Sequence, residues 1–210
     1  GAHQFLHYVI TLPSGSYFPQ VAGKAGAGAV GVYVTTKVGR ACHGGTGNVK
    51  AAANYAVTLE VIGEGKKQGC AQVLFLDAAG QRNVEEMGGM NVFFVSGKTI
   101  YTPRIGDTIL AGITRNSIVK MAPEHGYTVE ETDLNFDDLV ARIGKGEITE
   151  AFACGTAAVI CGIGRFKMDS GEEIVIGTGK AGPVTEELYD RLSGIQYGRY
   201  PDPFRWIVRV

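Results

Sequence analysis

This chain of 210 residues has little that points to a metal, a disulfide framework or a membrane. Its four cysteines, Cys42, Cys70, Cys154 and Cys161, include no C-x-x-C pair, and none has a histidine at metal-ligand spacing. That argues against structural zinc and against disulfides. His43 beside Cys42 supplies only two side chains, too few for a structural metal site. No apolar run reaches the roughly 20 residues of a membrane-spanning helix, and no charged-then-apolar leader opens the chain. A formal net charge of -1 offers no bulk attraction for nucleic acid or an anionic membrane surface. Neither G-x-G-x-x-G in a strand–helix setting nor G-x-x-x-x-G-K occurs, so the two common nucleotide-binding motifs are missing. Repeats, low-complexity tracts and coiled-coil heptads are missing too. These absences leave a cytoplasmic globular protein as the expectation, of one large domain or two small ones, with no nucleic-acid or membrane partner.

Glycine, by contrast, is abundant: 31 of 210 residues, about twice the usual share of ~7%. There is no collagen period, so these glycines mark turns and close backbone approaches. The most informative cluster is His43–Leu59, HGGTGNVKAAANYAVTL. A Gly-Gly-x-Gly turn runs into an alanine-rich segment, and the spacing predicts a helix over Thr46–Gly63 with Lys50 at the junction. A lysine amine shifts its pKa readily when desolvated and can form a Schiff base with a carbonyl. Asn54 and Tyr55 follow one turn later, within helical reach of Lys50. The alternative is an ordinary surface lysine at a helix start, an end that disfavours cations. Spacing alone leaves both readings open.

The pattern elsewhere predicts mainly strands. Gln4–Leu12 reads as a strand followed by an exposed connection, and Gly23–Gly31 as a loop of small residues. Val30–Thr36, Val73–Leu76, Val92–Val95, Thr99–Thr102 and Tyr127–Thr132 are strand-like, with a hairpin turn at Ser96-Gly97-Lys98. Helices are predicted over Phe136–Ile143, after a capping Asn135, and over Pro183–Leu192. Ile148–Phe152 and Ala157–Ile163 read as strands, and Arg165–Val175 as a hairpin. The expectation is a sheet of sequential antiparallel strands rather than a βαβ run. The aromatic tail from Ile195 is expected to pack back onto the domain.

Three further spots carry chemistry. Glu85 and Glu86 lie between apolar strand segments, where a buried carboxylate needs a cationic or protonated partner; two solvent-facing glutamates on a turn are the alternative. Gly112, Ile113 and Thr114 open a helical pattern whose free N–H groups can cradle a phosphate. Arg115 beside them either faces that phosphate or pairs with a neighbour. The turn Cys154-Gly155-Thr156, with Ala157, is either a backbone nest for a carboxylate or a tight hairpin corner.

Several long blocks, in order, resemble one family. GGTGNVKAAANYAVTL (44–59), VEEMGGMNVFFV (84–95), ILAGITR (109–115), GEITEAFACGTAAVI (146–160) and GIQYGRYPDPFRWIV (194–208) look like the large C-terminal domain of branched-chain amino acid aminotransferases. These are fold-type IV pyridoxal-phosphate enzymes. The resemblance implies an α+β fold, D-amino acid aminotransferase-like, with a mainly antiparallel pseudo-barrel sheet and flanking helices. It implies residues 1–19 as the remnant of an N-terminal domain with its connection, and 20–210 as the cofactor-binding domain.

It also implies pyridoxal 5'-phosphate as cofactor, Lys50 as Schiff-base lysine and proton shuttle, Tyr55 on the ring hydroxyl and Glu86 on the pyridine nitrogen. Gly112, Ile113 and Thr114 would hold the phosphate. Thr156, also counted among the cofactor contacts, and Ala157 would receive the substrate carboxylate. The implied reaction moves an amino group between a branched-chain or other hydrophobic L-amino acid and 2-oxoglutarate. A partner-dependent cofactor-binding subunit, or a different pyridoxal-phosphate reaction, is the alternative. Because the family's N-terminal domain has no counterpart here, the resemblance implies a homodimer or a heteromer with a chain supplying it. Ala51, Ala52, Ala53, Val57 and Thr58 depart from the family's commoner small residues.

Overall fold

The β-branched run around Val32 becomes the strand on which the sheet turns. In the computed structural model of the chain, which describes residues 3–13, 15–18 and 27–208, β1 (Ala29–Thr35) is bonded on both edges. One neighbour is β2 (Gln72–Leu76), reached through helix α1 (Ala52–Lys67) and paired in parallel from Val32↔Gln72 to Thr35↔Phe75. All five residues of β2 are buried, which explains its unbroken apolar reading. A parallel pair needs a crossover of a dozen or more residues, and the glycine turn plus α1 provides one.

β3 (Val84–Met87), β4 (Asn91–Ser96) and β5 (Thr99–Pro103) follow, then helix α2 (Ile113–Met121), a 3-10 turn over Ala122–His125 and β6 (Thr128–Thr132). β5 and β6 are also parallel, so α2 is a second crossover. After α3 (Phe136–Gly144) come β7 (Glu150–Gly155), β8 (Val159–Met168), β9 (Glu173–Val175) and α4 (Pro183–Gln196). The strand order is β3-β2-β1-β8-β7-β4-β5-β6, with β9 beside β8. Five of the pairings are antiparallel: β2–β3, β4–β5, β4–β7, β7–β8 and β8–β9. The α+β class and the mainly antiparallel sheet expected from the sequence hold. The exclusion of βαβ units does not: β1–α1–β2 and β5–α2–β6 are both of that kind.

Side-chain alternation divides the core between the faces. On β4, Val92 and Phe94 join one cluster with Phe136, Leu139 and Ile143 of α3. Phe93 and Val95 join the other, with Leu188, Leu192 and Ile195 of α4. Phe93 stacks on its cross-strand partner Phe152 at 4.9 Å, worth about 0.5–1.5 kcal/mol beyond simple burial. α3 starts as predicted: Asn135 Oδ1 accepts from the N–H groups of Asp137 and Asp138 at 2.9 and 3.2 Å, a cap worth about 1 kcal/mol. The aromatic tail packs back as expected, with Tyr200, Phe204 and Trp206 against the second cluster.

Three expectations need correction or fall elsewhere. Gln4–Leu12 forms no strand; among the described residues no strand lies beside it to bond, and Phe5 and Leu6 are each 86% exposed. Helix α1 begins at Ala52, not Thr46, because the glycine turn occupies the first residues of that segment. Of the loop expected over Gly23–Gly31, residues 23–26 lie outside the described residues and Ala29–Gly31 belong to β1 instead; the domain boundary after residue 19 also lies outside the described residues. Cys70, Cys154 and Cys161 are buried and Cys42 is exposed, all free. Among the described residues there is no candidate metal cluster and no helix long and apolar enough to cross a membrane.

Candidate active site

The two crossover helices begin at the same place, beside the turn between β7 and β8 and the turn between β3 and β4. Before α1, the glycine turn is closed by short bonds, Gly45 N–H to the Cys42 carbonyl at 3.0 Å and Val49 N–H to Thr46 at 2.9 Å. Asn54 folds back to brace it, donating to the carbonyls of Thr46 and Val49 at 2.6 and 2.7 Å. Asn54 therefore holds the turn rather than serving Lys50. Lys50 itself is exposed, two residues ahead of the helix, with its Nζ 5.9 Å from the centre of the Tyr55 ring.

Strand β3 settles the two glutamates. Both are 4% exposed, so neither is a solvent-facing turn residue. Neighbours on a strand face opposite ways, and only Glu86 reaches the space beside Lys50. Glu86 Oε1 lies 2.6 Å from Arg40 Nη2 and accepts from the Leu110 N–H at 3.3 Å. Its Oε2 has a single long bond, from Asn91 Nδ2 at 3.3 Å. Burial pushes the Glu86 carboxyl up to about 7, outweighing the opposing pull of Arg40, the Leu110 N–H and Lys50. Glu85 lines a different cavity, with His43 and Thr108; burial raises its pKa, and its Oε2 has no hydrogen-bond partner among the described residues.

Helix α2 opens at Gly112 with no side-chain cap, so its first-turn amides depend on something other than a side chain. A Cβ at residue 112 would overlap Asn91 Oδ1 and force that side chain to shift. Asn91 in turn donates to the Leu110 carbonyl at 2.9 Å, fixing the approach to the helix. Arg115 takes the second of its two readings. It is buried and turned away, bonded to the Pro103 carbonyl at 2.9 Å and to Glu131 at 2.7 Å.

The turn between β7 and β8 is two residues later than expected. Cys154 and Gly155 belong to β7, paired with Ile160 and Val159, and the turn is Thr156–Ala158. Thr156 and Ala157 are exposed. Val159 leaves the turn at φ 58°, in the left-handed region that a β-branched residue rarely adopts. Such strain, of order 1–3 kcal/mol, collects at ligand sites.

These pieces enclose a cavity of about 380 Å³, lined by Lys50, Tyr55, Glu86, Gly112, Ile113, Thr114 and Thr156 among others. A second of about 350 Å³ shares Lys50, Tyr55 and Thr156 and adds Ala157, Tyr17, Ile62 and Gln72. Seven of the eight residues that the resemblance implied for the site line the first cavity, and Ala157 lines the second, which shares Lys50, Tyr55 and Thr156 with it. An amine, a buried carboxylate with an under-used oxygen and an uncapped helix start suit a ligand with a carbonyl, a cationic nitrogen and a phosphate. Arg40 and Asn91 were missed. The sequence signals Arg40 only as one arginine between Gly39 and Ala41, ahead of the glycine turn.

Residues 11–166 match the family described as amino-transferase class IV. The chain is 42% identical over 213 residues to the branched-chain-amino-acid aminotransferase of Mycobacterium tuberculosis (strain ATCC 25618 / H37Rv), covering 100% of this chain and 56% of that protein. The solved Escherichia coli branched-chain amino acid aminotransferase superposes with a TM-score of 0.79 at 29% identity, over 94% of this chain and 60% of that one. The T.th. branched-chain amino acid aminotransferase, complexed with N-(5'-phosphopyridoxyl)-L-glutamate, gives 0.73 at 27% identity, over 86% and 56%. The chain therefore spans about half the length of the curated relatives it matches.

Proposed function

Because the chain belongs to the class IV aminotransferases, we propose that it moves an amino group between a branched-chain or other hydrophobic L-amino acid and 2-oxoglutarate, using pyridoxal 5'-phosphate attached at Lys50. The observation that carries this reading is the one cavity bordered by Lys50, Tyr55, Glu86, the first turn of α2 and Thr156. The residues present fit the cofactor on two counts. Glu86 Oε2 keeps capacity for a donor, with only one long bond at 3.3 Å, and the start of α2 has no side-chain cap. The relatives' names support the amino acid class, and the phosphopyridoxyl-glutamate held by the T.th. enzyme supports glutamate and 2-oxoglutarate as the second pair.

Pyridoxal phosphate, when bound, supplies the electron sink that makes the amino acid's α-proton removable. The chain's residues attach, orient and move protons. Lys50 would hold the cofactor through its amine, condensing with the carbonyl and releasing water. Its Nζ, once free, would serve as the base for the substrate's Cα proton and then as the acid that returns it. Tyr55 would donate its hydroxyl to the ring hydroxyl. The Glu86 carboxylate would pair with a protonated ring nitrogen, a contact favoured by burial because the cation relieves an otherwise costly buried charge. Gly112, Ile113 and Thr114 would hold the phosphate through first-turn amides and the Thr114 hydroxyl. Thr156 and Ala157 would receive the substrate carboxylate on the exposed turn.

A second reading, a cofactor-binding subunit that turns over only with a partner, is favoured by the exposure of Lys50, Thr156, Ala157 and, at 80%, Ile113. The exposed apolar side chains of Phe5, Leu6, Val9 and Leu12 support association with a second copy or with a chain supplying the rest of the relatives' length. The protein is mixed with pyridoxal phosphate, reduced with borohydride and mapped by peptide mass; the added mass is expected on Lys50. Leucine and 2-oxoglutarate should then yield glutamate. An unmodified Lys50 sinks both readings, while modified Lys50 without glutamate selects the second.

A further inference from the structure

We infer that Arg40 is a positioning residue of this site: it sets the place and charge of Glu86 and ties together three separate segments that border the cavity. The inference rests on the cofactor reading above. Arg40 is 5% exposed and lies ahead of the glycine turn. Its Nη2 is 2.6 Å from Glu86 Oε1, donates to the Gly47 carbonyl at 3.0 Å and donates to the Thr108 carbonyl. Those three partners sit on β3, on the turn that carries Lys50, and on the segment leading to α2. The attachment, ring-nitrogen and phosphate regions thus meet on one guanidinium. The backbone is tight at that junction: a Cβ at Gly47 would lie 2.7 Å from Thr108 Cα. Asn48 N–H also bonds the Asp107 carbonyl at 3.0 Å and Gly44 N–H bonds the Asp107 carboxylate at 2.7 Å, so backbone bonds join the turn to the approach to α2 beside the Arg40 bridge.

Charge adds to the geometry. The charged and titratable groups around Glu86 are Arg40 and Lys50 in opposition, its neighbour Glu85 in repulsion, and the buried Cys154 thiol of β7. Arg40 also acts on Glu85. Among the described residues Arg40 is the cation ion-paired with Glu86, and Lys50 acts on it without an ion pair. A protonated ring nitrogen would add a cation beside Glu86. All three contacts fall on Nη2, which shares its two hydrogens among a carboxylate and two carbonyls, while Arg40 Nε has no hydrogen-bond partner among the described residues; what sets the guanidinium apart is that it stays charged when buried.

The test has one arm without cofactor and one with it. Without pyridoxal phosphate, thermal unfolding is followed from pH 4 to 9 for the wild type and Glu86→Gln, and for the same pair in Arg40→Lys and Arg40→Gln backgrounds. The pH window in which Glu86→Gln changes stability should move up by at least one pH unit in Arg40→Gln and by less in Arg40→Lys. With pyridoxal phosphate, Arg40→Gln should weaken binding at least tenfold, Arg40→Lys should recover part of that, and Arg40→Gln with Glu86→Gln should bind no worse than Glu86→Gln alone. An unmoved window together with additive losses overturns the inference. If Arg40→Gln does not fold, Arg40→Lys alone decides: a window and an affinity identical to wild type overturn it. A wild type that takes up no pyridoxal phosphate fails the cofactor reading instead, and the first arm still reports whether Arg40 governs Glu86.

Discussion

The two walls of the cavity are built differently. The Glu86 wall is interior: β3 is buried along its length, and Arg40, Asn91 and the Leu110 N–H all hold the carboxylate. The Lys50 wall is open: Lys50, Thr156 and Ala157 are exposed, and Ile113 at the start of α2 is 80% exposed. The groups proposed to fix the cofactor's electronic state are thus locked by the chain's own packing, whereas those proposed to meet the amino acid face outward. Changes to the open wall should alter chemistry with little cost in folding. Changes to the buried wall should alter both.

The sharpest break is expected from Lys50→Ala. Amino transfer should fall by about 10²–10⁴-fold, the range for losing a positioned base, while thermal stability stays within about 0.5 kcal/mol. A comparable loss of stability would erase the distinction between the walls. Glu86→Gln should cost about 10²-fold in transfer and also change folding. The folded Glu86 carboxyl titrates at about 7, above its ordinary 4.5. Its contribution to stability is therefore fully present below pH 4.5 and is lost as pH rises to about 7. Relative to Glu86→Gln, the wild type should lose on the order of 3 kcal/mol across that window, read by denaturant unfolding at several pH values.

Gly112→Ala sits where the walls meet. The new methyl would overlap Asn91 Oδ1, so about 1–3 kcal/mol of stability should go, with weaker pyridoxal phosphate binding in a direct titration. The smallest effect is expected from Ile113→Ser, on a side chain 80% exposed. The stability of the chain by itself should change by less than about 0.5 kcal/mol. A larger drop in its melting temperature would show that Ile113 is covered in solution.

The residues that carry local chemistry could be read in the sequence. Asn135 announced the start of α3, and Gly97, at φ 58°, announced the hairpin between β4 and β5. Lys50 after its glycines and Gly112–Thr114 at a helix start were visible because both motifs are contiguous. Arg40 was not, since its role depends on Gly47, Thr108 and Glu86, and Thr108 lies 68 positions away. Glu85 and Glu86 showed that a carboxylate mattered without showing which; the bottom-up pattern could not orient β3, although the family resemblance selected Glu86. Gln4–Leu12 had a strand's composition but, among the described residues, no strand beside it to bond.

By itself, then, the sequence determined the small-residue turns, the helix starts, the apolar alternation and the identity of the groups available for chemistry. Each of these depends on neighbours within a turn or two. Only the tertiary structure decided that β1 pairs in parallel with both β2 and β8, that two crossover helices begin at one cavity, and that a single buried arginine joins Glu86 to the carbonyls of Gly47 and Thr108. Strand alternation says that successive side chains face opposite ways, but the face that meets a ligand is set by which distant segments pack against it.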